Sequence, residues 1–239
     1  MPIDDTAPVC ITAFDWVPDF ARGQVRDLRV RWALEEVGQP YAVTYLSQGS
    51  QKAPPHRARQ PFGQVPTYEE GDLTLFESGA IVLHIAENHG KLLPADRAAR
   101  SRAIEWAFAA LNTVEPPIMD HAIATLFEAG EPWSKPRLPS VEKRIDERLG
   151  ELSARLGASD WLDGDFSAGD LLMVSVLRIV KDTGLLDAYP NLKTYVARGE
   201  ARPAFGRALA DQMAGFTAPT PPQFVEWEKA MKAKEGELL

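Results

Sequence analysis

The spacing of apolar positions changes several times along the first part of the chain, and each change marks an element. Val9-Cys10-Ile11-Thr12-Ala13-Phe14 is a compact apolar run of strand length. Asp15 to Gly23 contains Pro18 and Gly23 and reads as a loop. Val25, Leu28, Val30, Trp32, Ala33, Leu34 and Val37 then recur at helical spacing, with Gly38 placed to end the helix. Tyr41 to Leu46 is β-branched and aromatic and predicts a second strand. This is a βαβ unit, whose two strands run parallel. Gly49 to Gly63 is polar, holds Pro54-Pro55 and Pro61, and reads as irregular. Short strands are predicted over Pro66 to Glu69 and Leu73 to Phe76, joined by a hairpin turn at Glu70-Gly71-Asp72. Ser78 opens an apolar-periodic helix that Gly90 ends.

From Pro94 onward no segment alternates as a strand would. Asp96 to Glu115 is an amphipathic helix that Pro116-Pro117 must break or kink, and Ile118 to Glu128 continues its pattern. Glu131 to Pro139, with three prolines, reads as a loop. Helices follow over Val141–Leu156, Ala168–Thr183, Leu192–Glu200 and Ala204–Met213. A proline-rich break at Pro219-Pro221-Pro222 leads into an amphipathic tail from Phe224 to Lys234. The change of character near Lys91–Asp96 divides the chain into an α/β domain over 1–93 and an all-helical domain over 94–239.

Composition narrows the functional classes. The formal charge is −8, from 26 basic and 34 acidic residues, with no long Lys/Arg run, so nucleic acid is not the expected partner. The N-terminus lacks a signal-like apolar run, and the most apolar stretch, Leu171 to Val180, is too short to span a bilayer. No membrane association and a cytoplasmic location are expected. Cys10, the sole cysteine, excludes an internal disulfide and reads as a buried strand residue. The four histidines show no metal-ligand spacing, so no metal is expected.

Two short motifs carry the chemistry. A proline at Pro66 cannot donate a ladder hydrogen bond and belongs at a strand start. With a cis bond before it, the Val65 backbone turns outward and can pair with an extended peptide; with a trans bond it is an ordinary strand-start proline. Ser78 stands where a cap or first-turn residue belongs. A helix N-terminus attracts a carboxylate, Ser78 can add a hydroxyl bond, and Glu77 can pair with an adjacent ammonium. Together they suit the zwitterionic end of an amino acid, although a capping serine beside a glutamate has the same appearance.

The stretch Gln60-Pro61-Phe62-Gly63-Gln64-Val65-Pro66, followed by Leu75-Phe76-Glu77-Ser78-Gly79-Ala80-Ile81, resembles the glutathione S-transferase family. Val30 to Gly38 is similar to that family's first helix, and Phe166-Ser167-Ala168-Gly169-Asp170 to the capping box of its helical domain. The resemblance implies a thioredoxin-like N-terminal domain of βαβ–ββα order and an all-α C-terminal domain. It implies glutathione as co-substrate, a cis Pro66, Val65 pairing with the cysteinyl backbone, Glu77 and Ser78 holding the γ-glutamyl end, and Gln64 near the peptide. Lys52, His56 and Arg57 are the candidates for the glycine carboxylate. A homodimer follows by the same resemblance.

The chain departs from the family where the sulfur should lie. Residues 14–27 contain no Tyr, Ser, Thr or Cys, and Phe14 stands where the resemblance implies a tyrosine. Three substitutes can favour a thiolate: the Arg22 guanidinium, the Trp16 indole N–H, or backbone N–H groups of the first helix acting with Gln24. Arg22 has an alternative as an ion pair with Asp19, and Trp16 as a core aromatic. Phe20, Ile118 and His121 are expected to wall the pocket of a small apolar electrophile. The expected activity is transfer of the glutathione thiolate to that electrophile. Glutathione-dependent disulfide or peroxide reduction, and non-catalytic glutathione binding, are the rival readings.

Overall fold

A computed structural model of the chain describes residues 3–226. Strand β1 (Val9–Phe14) lies at the centre of a four-stranded sheet with α1 (Asp27–Val37) and β2 (Ala42–Leu46) forming the parallel βαβ unit. A short helix α2 (Pro54–Arg57) precedes the antiparallel hairpin of β3 (Thr67–Glu70) and β4 (Leu73–Phe76), and α3 (Ser78–His89) follows. The spatial order is β2-β1-β3-β4, with β1 antiparallel to β3. Gly38 and Gly90 end α1 and α3 in the left-handed conformation, where a side chain would be disfavoured.

Helices α4 (Arg97–Ala109), α5 (Glu115–Ala122), α6 (Ser134–Leu156), α7 (Ala168–Leu177), α8 (Pro190–Glu200) and α9 (Pro203–Gly215) make the second layer. Every residue of α7 is buried, Asp170 and Ser175 included, as befits the central helix of a mostly apolar sequence. Asp170 accepts from the Ser167 N–H and hydroxyl, both at 3.0 Å, so the capping residues form as expected. Trp32 of α1 packs edge-to-face on Phe205 of α9, with ring centres 5.0 Å apart, so the two layers share one core.

Three segments differ from expectation. Residues 49–63 contain a 3₁₀ turn (Ser50–Lys52) as well as α2, because Pro54 and Pro55 occupy first-turn positions whose N–H groups need no partner. Helix α6 begins at Ser134 rather than after Pro139. Its first turn accommodates Pro136, while Pro139 lies inside the helix. Pro116 and Pro117 do not end their helix: they begin α5 after a π-helical segment, Ala110–Val114. The expected tail from Phe224 to Lys234 lies mostly outside the described residues. No helix among the described residues is long and apolar enough to cross a membrane.

Candidate functional site

The peptide bond between Val65 and Pro66 is cis. Neither the N–H nor the C=O of Val65 makes a backbone hydrogen bond among the described residues. Pro66 has no N–H, and the next N–H, that of Thr67, is taken at 2.7 Å by the Thr12 hydroxyl from the neighbouring strand. The strand therefore begins beyond Val65 and leaves its backbone groups free beside a cavity of about 570 Å³.

That cavity lies between the α/β domain and the helices. Phe14, Phe20, Gln24, Val25, Arg26 and Arg29 form one wall, and Gln51, Lys52, Gly63, Gln64 and Val65 a second. Glu115, Met119, His121, Leu126 and Phe127, with Arg178, Ile179, Val180, Asp182 and Thr183, close it from the helical side. Its apolar lining includes Phe14, Val25 and Met119. Phe20 meets Phe127 edge-on at 5.4 Å across its mouth.

At the foot of α1 the backbone is unusually open. The N–H groups of Val25 and Arg26 make no hydrogen bond among the described residues, and no side chain caps the helix. Both residues line the cavity. A helix start with free N–H groups favours negative charge. Gln24 lines the same wall and extends its amide to the Arg178 carbonyl at 3.4 Å.

Sequence reasoning missed a buried charge cluster at this wall. Glu115 accepts from Arg26 at 2.8 Å and from Arg29 at 2.9 Å, while Arg29 also reaches the Ser78 hydroxyl at 3.4 Å. Burial pushes the Glu115 carboxyl up, but Arg29 and then Arg26 outweigh it and hold the group below the ordinary glutamate value. Two guanidinium cations on one carboxylate leave a net positive charge beside the cavity. The signal for this cluster is absent from any local window, because Arg29 and Glu115 stand 86 positions apart.

Some of the remaining site candidates line this cavity and others, Glu77 and Ser78 among them, do not. Gln24, Phe20, Gln64, Val65 and His121 line the cavity. Ser78, 5 % exposed, is the first residue of α3 and lies one hydrogen bond behind Arg29; Glu77 is exposed with φ 68° at the helix N-cap. Trp16 and Arg22 are not on the cavity wall. Trp16 is 2 % exposed and stacks on Phe224, ring centres 5.2 Å apart, because burying its indole removes more apolar area than a place on the wall would. Arg22 pairs with Asp19 at 3.4 Å and lies over Phe216, so the ion-pair alternative describes its contacts. Ile118 is fully buried core, and its neighbours Met119 and Ala122 face the cavity instead.

Among the carboxylate candidates, His56 is buried with Nε2 2.6 Å from the Gln64 carbonyl, and Arg57 is exposed off the cavity. Lys52 lines it, with Gln51 beside it, and its Nζ donates to the Phe62 carbonyl at 3.0 Å. Gly63 permits this approach: a Cβ there would lie 2.8 Å from the Gln51 carbonyl oxygen and from Lys52 Cδ. His121 is 12 % exposed, and burial lowers its pKa against the opposing pull of Glu142 at 3.7 Å. No cluster of metal-ligating side chains is found among the described residues.

Comparison with known proteins agrees with this fold. Residues 20–87 match the N-terminal domain of glutathione S-transferases and residues 114–203 the C-terminal domain. Glutathione S-transferase 4 of Zea mays is 30% identical over 80% of this chain and 90% of its own length. Glutathione S-transferase 1 of the same species is 33% identical over 76% and 90%. A glutathione transferase family member from Pseudomonas fluorescens, solved with two glutathione bound, superposes with a TM-score of 0.76 at 25% identity, covering 85% of this chain and 94% of that one. A glutathione transferase from Burkholderia graminis, with two glutathione molecules bound per subunit, has a TM-score of 0.75 at 26% identity over 84% and 87%. On the matched domains, the shared fold and the identity to curated relatives, the chain belongs to the glutathione S-transferase family.

Proposed function

We propose that this protein binds glutathione and transfers its thiolate to a small apolar electrophile. The observation that carries the reading is one cavity lined by the unpaired backbone of Val65, the open foot of α1 and the apolar side chains of Phe14, Phe20 and Met119. Val65 pairs with the cysteinyl backbone of the peptide, and Gln64 lies alongside. Ser78 and the first N–H groups of α3 receive the γ-glutamyl carboxylate, and Glu77 its ammonium. Lys52 and Gln51 take the glycine carboxylate.

The sulfur then lies at the foot of α1. Two free N–H groups, the Gln24 amide and the net positive Arg26–Glu115–Arg29 cluster all favour its charged form. The thiol releases its proton to solvent. The thiolate forms a carbon–sulfur bond as the electrophile's leaving group departs with its electron pair. Phe14, Phe20, Met119 and Phe127 hold the electrophile against the sulfur. The molecule acts as a homodimer in the cytoplasm, where a reduced thiol persists.

Glu77→Ala tests the site. Losing a charge-assisted contact is expected to weaken glutathione binding about tenfold, read by titration of tryptophan fluorescence. Unchanged affinity would remove Glu77 from the site. Thiolate ultraviolet absorbance on glutathione binding tests activation. Binding with neither that absorbance nor turnover would favour a non-catalytic binding protein.

A second reading has its own support. Arg26 and His121 give the cavity polar ground beyond one peptide, and the two bacterial relatives named above were each solved with two glutathione molecules. In that reading the thiolate attacks a glutathione mixed disulfide, forming glutathione disulfide and releasing the other thiol. Measured thiol release from such a disulfide, faster than conjugation of any apolar electrophile, would favour it.

A further inference from the structure

We infer that Arg178 and Gln212, both from the helical domain, are positioning residues that hold Gly23, Gln24 and Val25 so that the foot of α1 meets the glutathione sulfur. The inference rests on the reading of this cavity as a glutathione site. Three consecutive residues of a long connection are tied from outside their own domain. Arg178 Nη1 donates to the Gly23 carbonyl at 2.7 Å, the Gln24 amide donates to the Arg178 carbonyl at 3.4 Å, and Gln212 Nε2 donates to the Val25 carbonyl at 3.1 Å. Connections of this length are ordinarily mobile, and a site built on one needs outside support.

Both supporting side chains are themselves locked. Arg178 is 5 % exposed, bonds Glu200 at 2.7 Å and lies 4.7 Å over the Phe205 ring. Gln212 is buried and also donates to Asp27 Oδ1 at 2.7 Å, while Asp27 is held by Arg31. Gly23 adopts φ +75°, and a Cβ there would sit 3.1 Å from Leu209 of α9, so the turn lies hard against the helical domain.

The ties act on direction. In a trans peptide the C=O and N–H point opposite ways. Gln212 shares the Val25 carbonyl with the Leu28 N–H, which donates at 3.0 Å, and the N–H of the same peptide unit is that of Arg26, one of the two free donors. Holding the carbonyl fixes where that N–H points. Accepting a hydrogen bond at the carbonyl also strengthens the N–H as a donor. Residues 179 and 180 line the cavity directly after Arg178, so one segment serves as wall and as clamp.

The test compares Arg178→Met, Gln212→Met and Lys181→Met with the unaltered chain. Readouts are glutathione affinity, the titration midpoint of the bound thiol, kcat with a nitro-activated aryl chloride, and amide hydrogen exchange at residues 23–26. Arg178→Met is expected to raise the thiol midpoint, speed exchange and lower kcat about tenfold while glutathione affinity changes less than about twofold. Gln212→Met is expected to act the same way, and it still reports should Arg178→Met not fold. Arg178→Lys restores part of the loss through the Gly23 bond. Lys181 shares Glu200 at 2.9 Å but has no bond to the turn, so Lys181→Met leaves all four readouts unchanged. Folded Arg178→Met and Gln212→Met with the wild-type midpoint, exchange and kcat overturn the clamp alone. A wild-type chain that binds no glutathione overturns the site reading, and the clamp with it.

Discussion

Glu115 sits 8 % exposed between two guanidinium groups, and its ionisation is bound up with folding. Its folded pKa lies below the unfolded value despite burial, because Arg29 and Arg26 favour the charged form. Glu200 behaves alike: burial opposes ionisation, and Arg178 and Lys181 outweigh it. A depressed carboxyl stabilises the fold above its unfolded pKa and loses that contribution as pH falls through the folded value. The contribution of these two carboxyls to the urea midpoint is therefore expected to hold from neutral pH to about 4.3 and to drop below it. Glu115→Gln is expected to destabilise by about 3 kcal/mol at neutral pH, leaving Arg29 buried without a counter-charge, and to flatten the acid limb. An acid limb unchanged in that variant would assign it to other carboxyls. Positions that depend on neighbours in the chain are legible in the sequence: Val65 beside Pro66, and Ser78 at a helix start. Trp16 and Arg22 have donor chemistry suited to a thiolate, but their surroundings are Phe224 and Phe216, far along the chain, and no local pattern announces those contacts.

Helix α7 approaches α4 so closely that its second residue has no room for a side chain. A Cβ on Gly169 would lie 2.6 Å from Trp106 Cβ and 2.8 Å from the Ala103 carbonyl, which is backbone and yields little. Gly169→Ala is expected to cost about 2 kcal/mol by overpacking. Gly206 in α9 has nothing within 4 Å of the same position, and Gly206→Ala is expected to add about 0.5–1 kcal/mol through helix propensity. Thermal denaturation of the two variants should move in opposite directions; a loss in both would point to a packing constraint around α9 that the geometry does not contain. The elements of the α/β half were readable because strand alternation and helical spacing differ sharply there. The proline clusters were harder. Proline signals both a loop and a helix's first turn, and only packing decides. Ser134 donates to the Ala124 carbonyl at 2.7 Å and Arg137 reaches Asp120 at 3.2 Å, and these contacts draw residues 134–139 into α6.

Across the whole molecule the two halves are held together by charge as well as apolar contact. Arg202 pairs with Glu36 at 2.6 Å, Arg207 with Glu35 at 2.5 Å, and the Arg29–Glu115 pair crosses the same boundary, around the packing of Trp32 on Phe205. Neither half keeps its buried surface without the other. Urea unfolding is expected to be a single transition, with tryptophan fluorescence and far-ultraviolet dichroism coincident. Two separated transitions would show that the halves fold alone. This seam had no signature in the sequence, since each partner looks like a solvated helix charge until the helices meet.

The uncapped start of α1 has a genetic consequence. A donor N–H belongs to the backbone and is encoded by no particular residue. Nineteen of the twenty amino acids supply it, and a point mutation at Val25 or Arg26 leaves the donor itself in place. Proline alone lacks the group. Tolerance at these positions should therefore follow side-chain size and charge for every replacement but one, and Val25→Pro should behave as a deletion of function.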